Sequence, residues 1–236
     1  MYKNYDIVII GGGVQGLSLA YNLAKNNFGS IAVIEKSYIG SGASSRNGEM
    51  LRSAFASKEW IQFFDISLLL WEKLSSDLDF NVMYTRCGYI VLASTSDEFE
   101  LCRTNLKTQQ SFGIKTELLE SKDVRKLIPS INPEMAAGGI LQNNGGFARH
   151  DAVLWAYLRA ARRLNVDILP YTEVSDIQVE SGTVKAVATS KGKLGTNMVV
   201  NSAGGHAGDI ATMVGLTLPS NTYRLEMIVT EPLKPF

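Results

Sequence analysis

"DIVIIGGGVQGLSLAYNLAKNNFGSIAVIEK", Asp6 to Lys36, carries two hydrophobic periods in succession. Asp6 to Ile10 is a short β-branched run that predicts a strand. From Val14 the apolar residues recur at Leu17, Ala20 and Leu23–Ala24, which predicts a helix. Between them Gly11, Gly13 and Gly16 fit G-x-G-x-x-G. Gly11 allows the tight turn, Gly13 lets a pyrophosphate approach the backbone, and Gly16 lets helix and strand pack closely. The phosphates would rest on the helix N-terminus, where unpaired N–H groups and the helix dipole favour negative charge. A second strand, Ile31 to Ile34, ends in Glu35, about 20 residues beyond Gly16, where a carboxylate can accept from ribose hydroxyls. Glycines alone would make an ordinary turn. Strand, helix, second strand and correctly spaced acid together specify a dinucleotide site, without saying which dinucleotide.

Bulk composition narrows the classes. The 236 residues can bury a substantial core in one large domain or two interleaved ones. Lys+Arg and Asp+Glu are both 23, so the balance of charge argues against nucleic acid or an anionic membrane as partner. A hydrophobic content of 45% with 19% charged residues is that of a globular enzyme. No apolar run approaches the ~20 residues needed to span a bilayer. The chain enters a core strand within a few residues, so no cleavable signal peptide is expected. Cys87 and Cys102 are too few for a disulfide framework and are not spaced as a metal site. The expected location is cytoplasmic.

Beyond Glu35, "KSYIGSGASSRNGEMLRSAF" is dense in Gly, Ser and Asn, with Arg46 and Arg52 embedded. A loop of this length in a compact domain is more often functional than idle, and this one leaves the strand end where a dinucleotide would lie. Lys58 to Leu74 predicts an amphipathic helix with Ile61, Phe64, Leu68 and Trp71 on its core face. The pattern then changes. "VMYTRCGYIVLAS" is strand-like, "DEFELCRTNLKTQQSFG" predicts a helix that stops at Gly113, and "SKDVRKLIP" a short helix ended by Pro129. "GGILQNNGGFA" predicts two strand pieces around a turn. "HDAVLWAYLRAARRLN" predicts a helix with Asp151 as N-cap, "VDILP" a strand, and "EVSDIQVESGTVKAVATSKGKL" a hairpin turning at Ser181-Gly182. "MVVNSAGGHAG" predicts a buried strand running into glycines, which leaves room for a ligand backbone.

These pieces together resemble the flavoprotein amine oxidases of the D-amino-acid oxidase, glycine oxidase and sarcosine oxidase superfamily, and within it the β subunits of heterotetrameric sarcosine oxidases. The resemblance rests on "DIVIIGGGVQGLSLAYNLAK", "GASSRNGEMLRS", "LDFNVMYTRCGYIVLA", "GGFARHDAVLWAYLRAA", "VDILPYTEV" and "VVNSAGGHAGDIATMVG", in that order. It implies an α/β fold: a Rossmann-like FAD-binding domain of the glutathione-reductase type, interleaved with an α+β substrate domain of the D-amino-acid oxidase type. The implied division is FAD-binding in 1–80 and 141–215, with substrate domain in 81–140 and from 216 to 236. The implied cofactor is FAD rather than a nicotinamide. Gly11, Gly13, Gly16, Glu35 and Lys36 would hold its ADP half, and Ser44, Ser45, Arg46, Asn47 and Gly48 would run beside its phosphates and ribityl chain. Val174 would touch the adenine through its backbone, and Ala203 and Gly204 would pass close to the ADP half. Arg52 falls where relatives place an arginine near the flavin and the substrate carboxylate. His150, in "FARHDAVLW", falls where the β subunits attach a second flavin, FMN, covalently.

The resemblance further implies oxidation of the C–N bond of a secondary amino acid, sarcosine first, with hydride passing from substrate carbon to the flavin N5. The protein then need supply neither metal nor nucleophile, only a cation for the carboxylate and a dry pocket. Partners would be a small amino-acid substrate and other subunits of a hetero-oligomeric oxidase. Proline or opine oxidase β subunits, and glycine or D-amino-acid oxidase-like enzymes, are the neighbouring alternatives. A nicotinamide dehydrogenase would share the first 36 residues, and a noncatalytic scaffold would keep the glycines and lose activity. The chain stops at "MIVTEPLKPF" just after an expected substrate-domain strand, so an N-terminal fragment is expected.

Overall fold

The strand, turn and helix expected at the start form as β2 (Ile7–Ile10) and α1 (Val14–Lys25), preceded by the short β1 (Lys3–Asn4) and followed by β3 (Ile31–Ile34). The chain continues through β4 (Met50–Leu51), α2 (Lys58–Leu78), β5 (Tyr89–Ala93), α3 (Ser96–Ser111), β6 (Thr116–Glu120), α4 (Ser121–Leu127), β7 (Gly138–Gln142) and β8 (Gly146–Phe147). It ends with α5 (His150–Arg163), β9 (Asp167–Leu169), β10 (Val174–Glu180), β11 (Thr183–Thr189), β12 (Gly192–Gly195), β13 (Val199–Asn201) and α6 (Ala207–Thr212). This is a computed structural model, and it describes residues 3–232.

Two units divide the chain. The first takes the chain up to Asn47, with Leu78–Phe80 and His150–Met227. The second takes Gly48–Asp77 and Asn81–Arg149, with the described end of the chain from Ile228. These boundaries differ from the expected ones. Residues 48–77 leave the expected first segment, and the return to the first unit comes at His150 rather than 141. The cause is local pairing: Met50 and Leu51 register against Phe147 and Gly146 in an antiparallel β4–β8 ribbon, which ties the segment after Asn47 to the second unit.

In the first unit a parallel sheet runs in the order β13-β2-β3-β9. All residues of β2 and β3 are buried, as central parallel strands covered on both faces must be. Val8, Ile10, Ala32 and Ile34 pack with Val174, Ile177 and Val187 of the β10-β11 hairpin and with Ile210 of α6. Each buried Val or Ile among these contributes about 1.5–3 kcal/mol on leaving water. β13 is an edge strand and only half-buried, not the buried strand expected. The hairpin turns at Ser181 (φ 51°) and Gly182 (φ 75°), as predicted. β1 and β12 pair in parallel and complete a second sheet, β1-β12-β11-β10. Tyr21 of α1 meets Tyr157 of α5 edge to face, with ring centroids 5.9 Å apart.

In the second unit β7 lies between β5 and β6 in an antiparallel sheet. Gly138 and Gly139 leave room at its start, because a Cβ on Gly138 would lie 2.2 Å from the Phe99 ring of α3. Thr95 and Glu98 close α3 with a reciprocal capping box. α2 runs one turn past its expected end and buries Ile61 and Leu68, as its periodicity predicts. The strand expected before "EPLKPF" does not form among the described residues. Positions 220–232 are irregular, with Leu225 and Ile228 about nine-tenths exposed.

Candidate dinucleotide site

The turn after β2 is built from close backbone approaches. Gly11 sits at φ +118°, and a Cβ there would stand 2.2 Å from the Ser202 carbonyl oxygen at the end of β13. A Cβ on Gly16 would stand 2.0 Å from the Gly11 carbonyl, which is the tight helix–strand packing that the fingerprint requires. Gly12, to which the motif assigns no role, is also crowded, though by side chains rather than backbone. Its Cβ would meet Ile39 Cδ1 at 2.7 Å and Glu35 Cβ at 2.8 Å. Gly13 differs, since the nearest atom to its Cβ would be the Ser44 hydroxyl at 2.9 Å, the end of a side chain. The strand ends carrying Gly11 and Ser202–Ala203 thus converge with the start of α1, at the carboxyl end of a parallel sheet where ligands of this architecture bind.

Glu35 is buried just beyond β3. Its Oε2 accepts from Gly12 N–H at 2.9 Å, and its Oε1 accepts from Ser37 N–H at 2.9 Å and Ser41 Oγ–H at 3.1 Å. A carboxylate offers about four acceptor positions, so three fix the turn and one is left for a hydroxyl. This double duty was not legible from spacing. Lys36, next along, is exposed.

The loop 36–47 folds back on the turn. Ala43–Ser45 forms one turn of 3₁₀ helix. Ser44 Oγ accepts from the Val14 N–H at 3.0 Å, Ser45 Oγ donates to the Gly40 carbonyl at 2.6 Å, and Asn47 Nδ2 donates to the carbonyls of Ala43 and Ser44. Arg46 donates to the Ser41 carbonyl and, at 3.3 Å, to Tyr38 Oη. The loop is therefore ordered by its own hydroxyls and amides, and it brings Ser44 to the first helical N–H.

Val174 opens β10 and lies in the core beside the sheet. Ala203 N–H donates to Asn201 Oδ1 at 3.2 Å, and Gly204 has a positive φ of 57° with no atom within 4 Å of where a Cβ would be. His150 is the first residue of α5 and half-buried. Asp151 is therefore inside the first turn rather than capping it, where its carboxylate accepts from Ala152 N–H at 2.9 Å. A cavity of about 400 Å³ in this unit is lined by Tyr38, Trp155, Arg162 and Tyr171 among others; Ser45 lines it, but neither the glycine turn nor Glu35 does.

Gly48 and Arg52 belong to the second unit. The Arg52 guanidinium lies 4.6 Å from the Phe55 ring centroid and 5.0 Å from that of Tyr89. Among the described residues no carboxylate pairs with it. A half-buried cation held between two rings and left without a counter-charge is suited to take an anion.

Chain-wide comparison agrees with this geometry. The chain is 39% identical, over 99% of its length, to the sarcosine oxidase subunit beta of Rhizobium meliloti (strain 1021), and 35% identical, over 99%, to that of Rhodobacter capsulatus. It spans 57% and 58% of those two relatives. Among solved structures it superposes on L-proline dehydrogenase from P. horikoshii with a TM-score of 0.84 at 29% identity, covering 92% of this chain and 57% of that one. The FAD dependent oxidoreductase family, DAO, matches residues 6–236. By that match, which spans nearly the whole chain, the chain belongs to the FAD dependent oxidoreductase (DAO) family.

Proposed function

We propose that this chain is the FAD-binding portion of an oxidoreductase that oxidises the C–N bond of a secondary amino acid, with sarcosine as the substrate. The observation that carries the substrate class is the uncompensated Arg52 cation between Phe55 and Tyr89, in a chain whose relatives are sarcosine oxidase β subunits. FAD, when bound, supplies the electron sink for that oxidation. The chain's own residues do the holding. Gly11, Gly13 and Gly16 admit the pyrophosphate, with Ala203 and Gly204 beside it, and the free acceptor position on Glu35 takes a ribose hydroxyl. Lys36 and the backbone of Val174 flank the adenine. Ser44, Ser45, Arg46, Asn47 and Gly48 line the path of the phosphates and ribityl chain, and Arg52 anchors the substrate carboxylate.

His150 is the attachment point for a covalent FMN, and the protein works with other subunits as a hetero-oligomer. Support for both is the run Phe147–Trp155 and the overall likeness to β subunits. The site of action is the cytoplasm, which suits a chain whose cysteines, Cys87 and Cys102, are both free. Proline is the second substrate reading, favoured by the likeness to L-proline dehydrogenase.

The test is the visible spectrum of the protein, co-expressed with its partner subunits, before and after anaerobic sarcosine. Bleaching of the flavin band is expected. Bleaching by proline alone moves the reading to proline, and no flavin band overturns it. His150→Ala is expected to remove the yellow colour that otherwise stays with acid-precipitated protein.

A further inference from the structure

Gln142, at the end of β7, is fully buried, and both ends of its amide are bonded. Oε1 accepts from the N–H groups of Ser53 and Ala54, each at 2.9 Å. Nε2 donates to Ser53 Oγ at 2.8 Å and Asn144 Oδ1 at 2.7 Å. Two backbone donors on one side and two oxygens on the other leave the amide a single orientation. Ser53 extends the chain of bonds by donating to Asp65 Oδ1 at 3.4 Å. A second buried glutamine, Gln109 of α3, donates Nε2 to the Phe55 carbonyl at 3.1 Å. Residues 52–55 lie in neither helix nor strand, so these side chains do for the segment what a ladder would otherwise do.

What they hold is the seat of Arg52. One ring under the guanidinium, Phe55, ends the clamped segment. The other, Tyr89, registers directly against Gln142 in the β5–β7 ladder. Gln142 thus fixes one half of the seat through its side chain and the other through its backbone. The Gln142 amide, bonded at both ends, selects one arrangement, because turning it would face donor to donor and acceptor to acceptor in a buried site; Gln109 adds a single bond through Nε2. The clamp bonds only backbone groups, Ser53 and Asn144, so it leaves the guanidinium donors to a ligand.

We propose that Gln142 and Gln109 are positioning residues for Arg52, which hold its guanidinium between Phe55 and Tyr89 for the carboxylate of the substrate. This rests on the reading of Arg52 as the carboxylate anchor. The experiment uses the holoenzyme and measures the Kd of acetate, a carboxylate that cannot be oxidised, beside the KM and kcat for sarcosine and the melting temperature. Acetate makes the outcome independent of which amino acid is consumed. Gln142→Met and Gln109→Met are each expected to raise the acetate Kd and the KM about tenfold, with kcat within about twofold, since misplacing a binding group by an ångström is enough for such a loss. A lower melting temperature with an unchanged acetate Kd would show a structural role alone and overturn the proposal. Should Gln142→Met not fold, Gln109→Met decides by the same criterion. Arg52→Met separates the two claims. If it raises the acetate Kd while the glutamine variants do not, only the positioning proposal fails; if it leaves the Kd unchanged, the reading of Arg52 fails and takes the proposal with it.

Discussion

Ser44 Oγ accepts a hydrogen bond from the Val14 N–H at 3.0 Å, so a residue 30 positions along the chain caps the helix that Gly13 begins. Gly13 has no side chain with which to cap, and the loop supplies the missing acceptor. Ser44→Ala leaves that N–H unmet and is expected to cost about 0.5–2 kcal/mol, the usual loss for a removed N-cap. Urea unfolding of the purified protein checks this as a lower midpoint at unchanged slope.

Gly13 and Gly16 should fail differently. A Cβ on Gly16 would be driven into backbone, 2.0 Å from the Gly11 carbonyl, whereas one on Gly13 meets only the Ser44 hydroxyl, which can rotate away. Gly16→Ala is expected to abolish soluble, cooperatively unfolding protein. Gly13→Ala is expected to keep the fold, with a melting temperature within about 4–8 °C of the parent, while losing flavin affinity by about tenfold or more because the methyl stands where the pyrophosphate must approach. Equal damage from both variants, measured by thermal melts and flavin content, would contradict the separation.

Glu35→Gln replaces an acceptor-only group, which takes three hydrogen bonds, with one whose NH₂ cannot accept. At least one of the Gly12 N–H, the Ser37 N–H and the Ser41 hydroxyl then loses its acceptor. A loss of about 1–3 kcal/mol of stability is expected, with weaker flavin retention on dialysis. Unchanged flavin retention at full stability would show that Glu35 serves neither the turn nor the ribose.

Asp6 links the start of β2 to the residue before β3. Its Oδ2 accepts from the Ser30 N–H and the Ser30 hydroxyl, both at 2.7 Å, and these bonds hold the carboxyl below the ordinary aspartate value. A carboxylate with a lowered folded-state pKa stabilises the fold above the unfolded-state value, and that contribution is lost as pH falls through the folded one. Asp6→Asn should therefore be less stable than the parent at neutral pH, with the gap closing below about pH 4. Denaturation midpoints across pH 3–7 measure it; a gap that persists at low pH would show that the charge is not what stabilises.

Local order and the class of ligand were legible in the sequence, because both depend on contacts between near neighbours or on a backbone pattern of fixed spacing. The β2–α1–β3 unit, the Ser181-Gly182 hairpin and the helix stop at Gly113 follow from residues within a few positions of one another. Contacts between distant segments were not legible. Gly12 is crowded because Ile39 and Glu35 come to it from beyond β3, Ser44 caps α1 only because the loop folds back, and the seat of Arg52 exists only because Gln142 and Gln109 arrive from β7 and α3. A glutamine at a strand end carries no periodicity and no motif, so its role is decided by which backbone groups the tertiary fold leaves in want of a partner. The strand expected near the end of the chain came from the resemblance to a substrate domain, and it does not form among the described residues, where 220–232 pair with no strand.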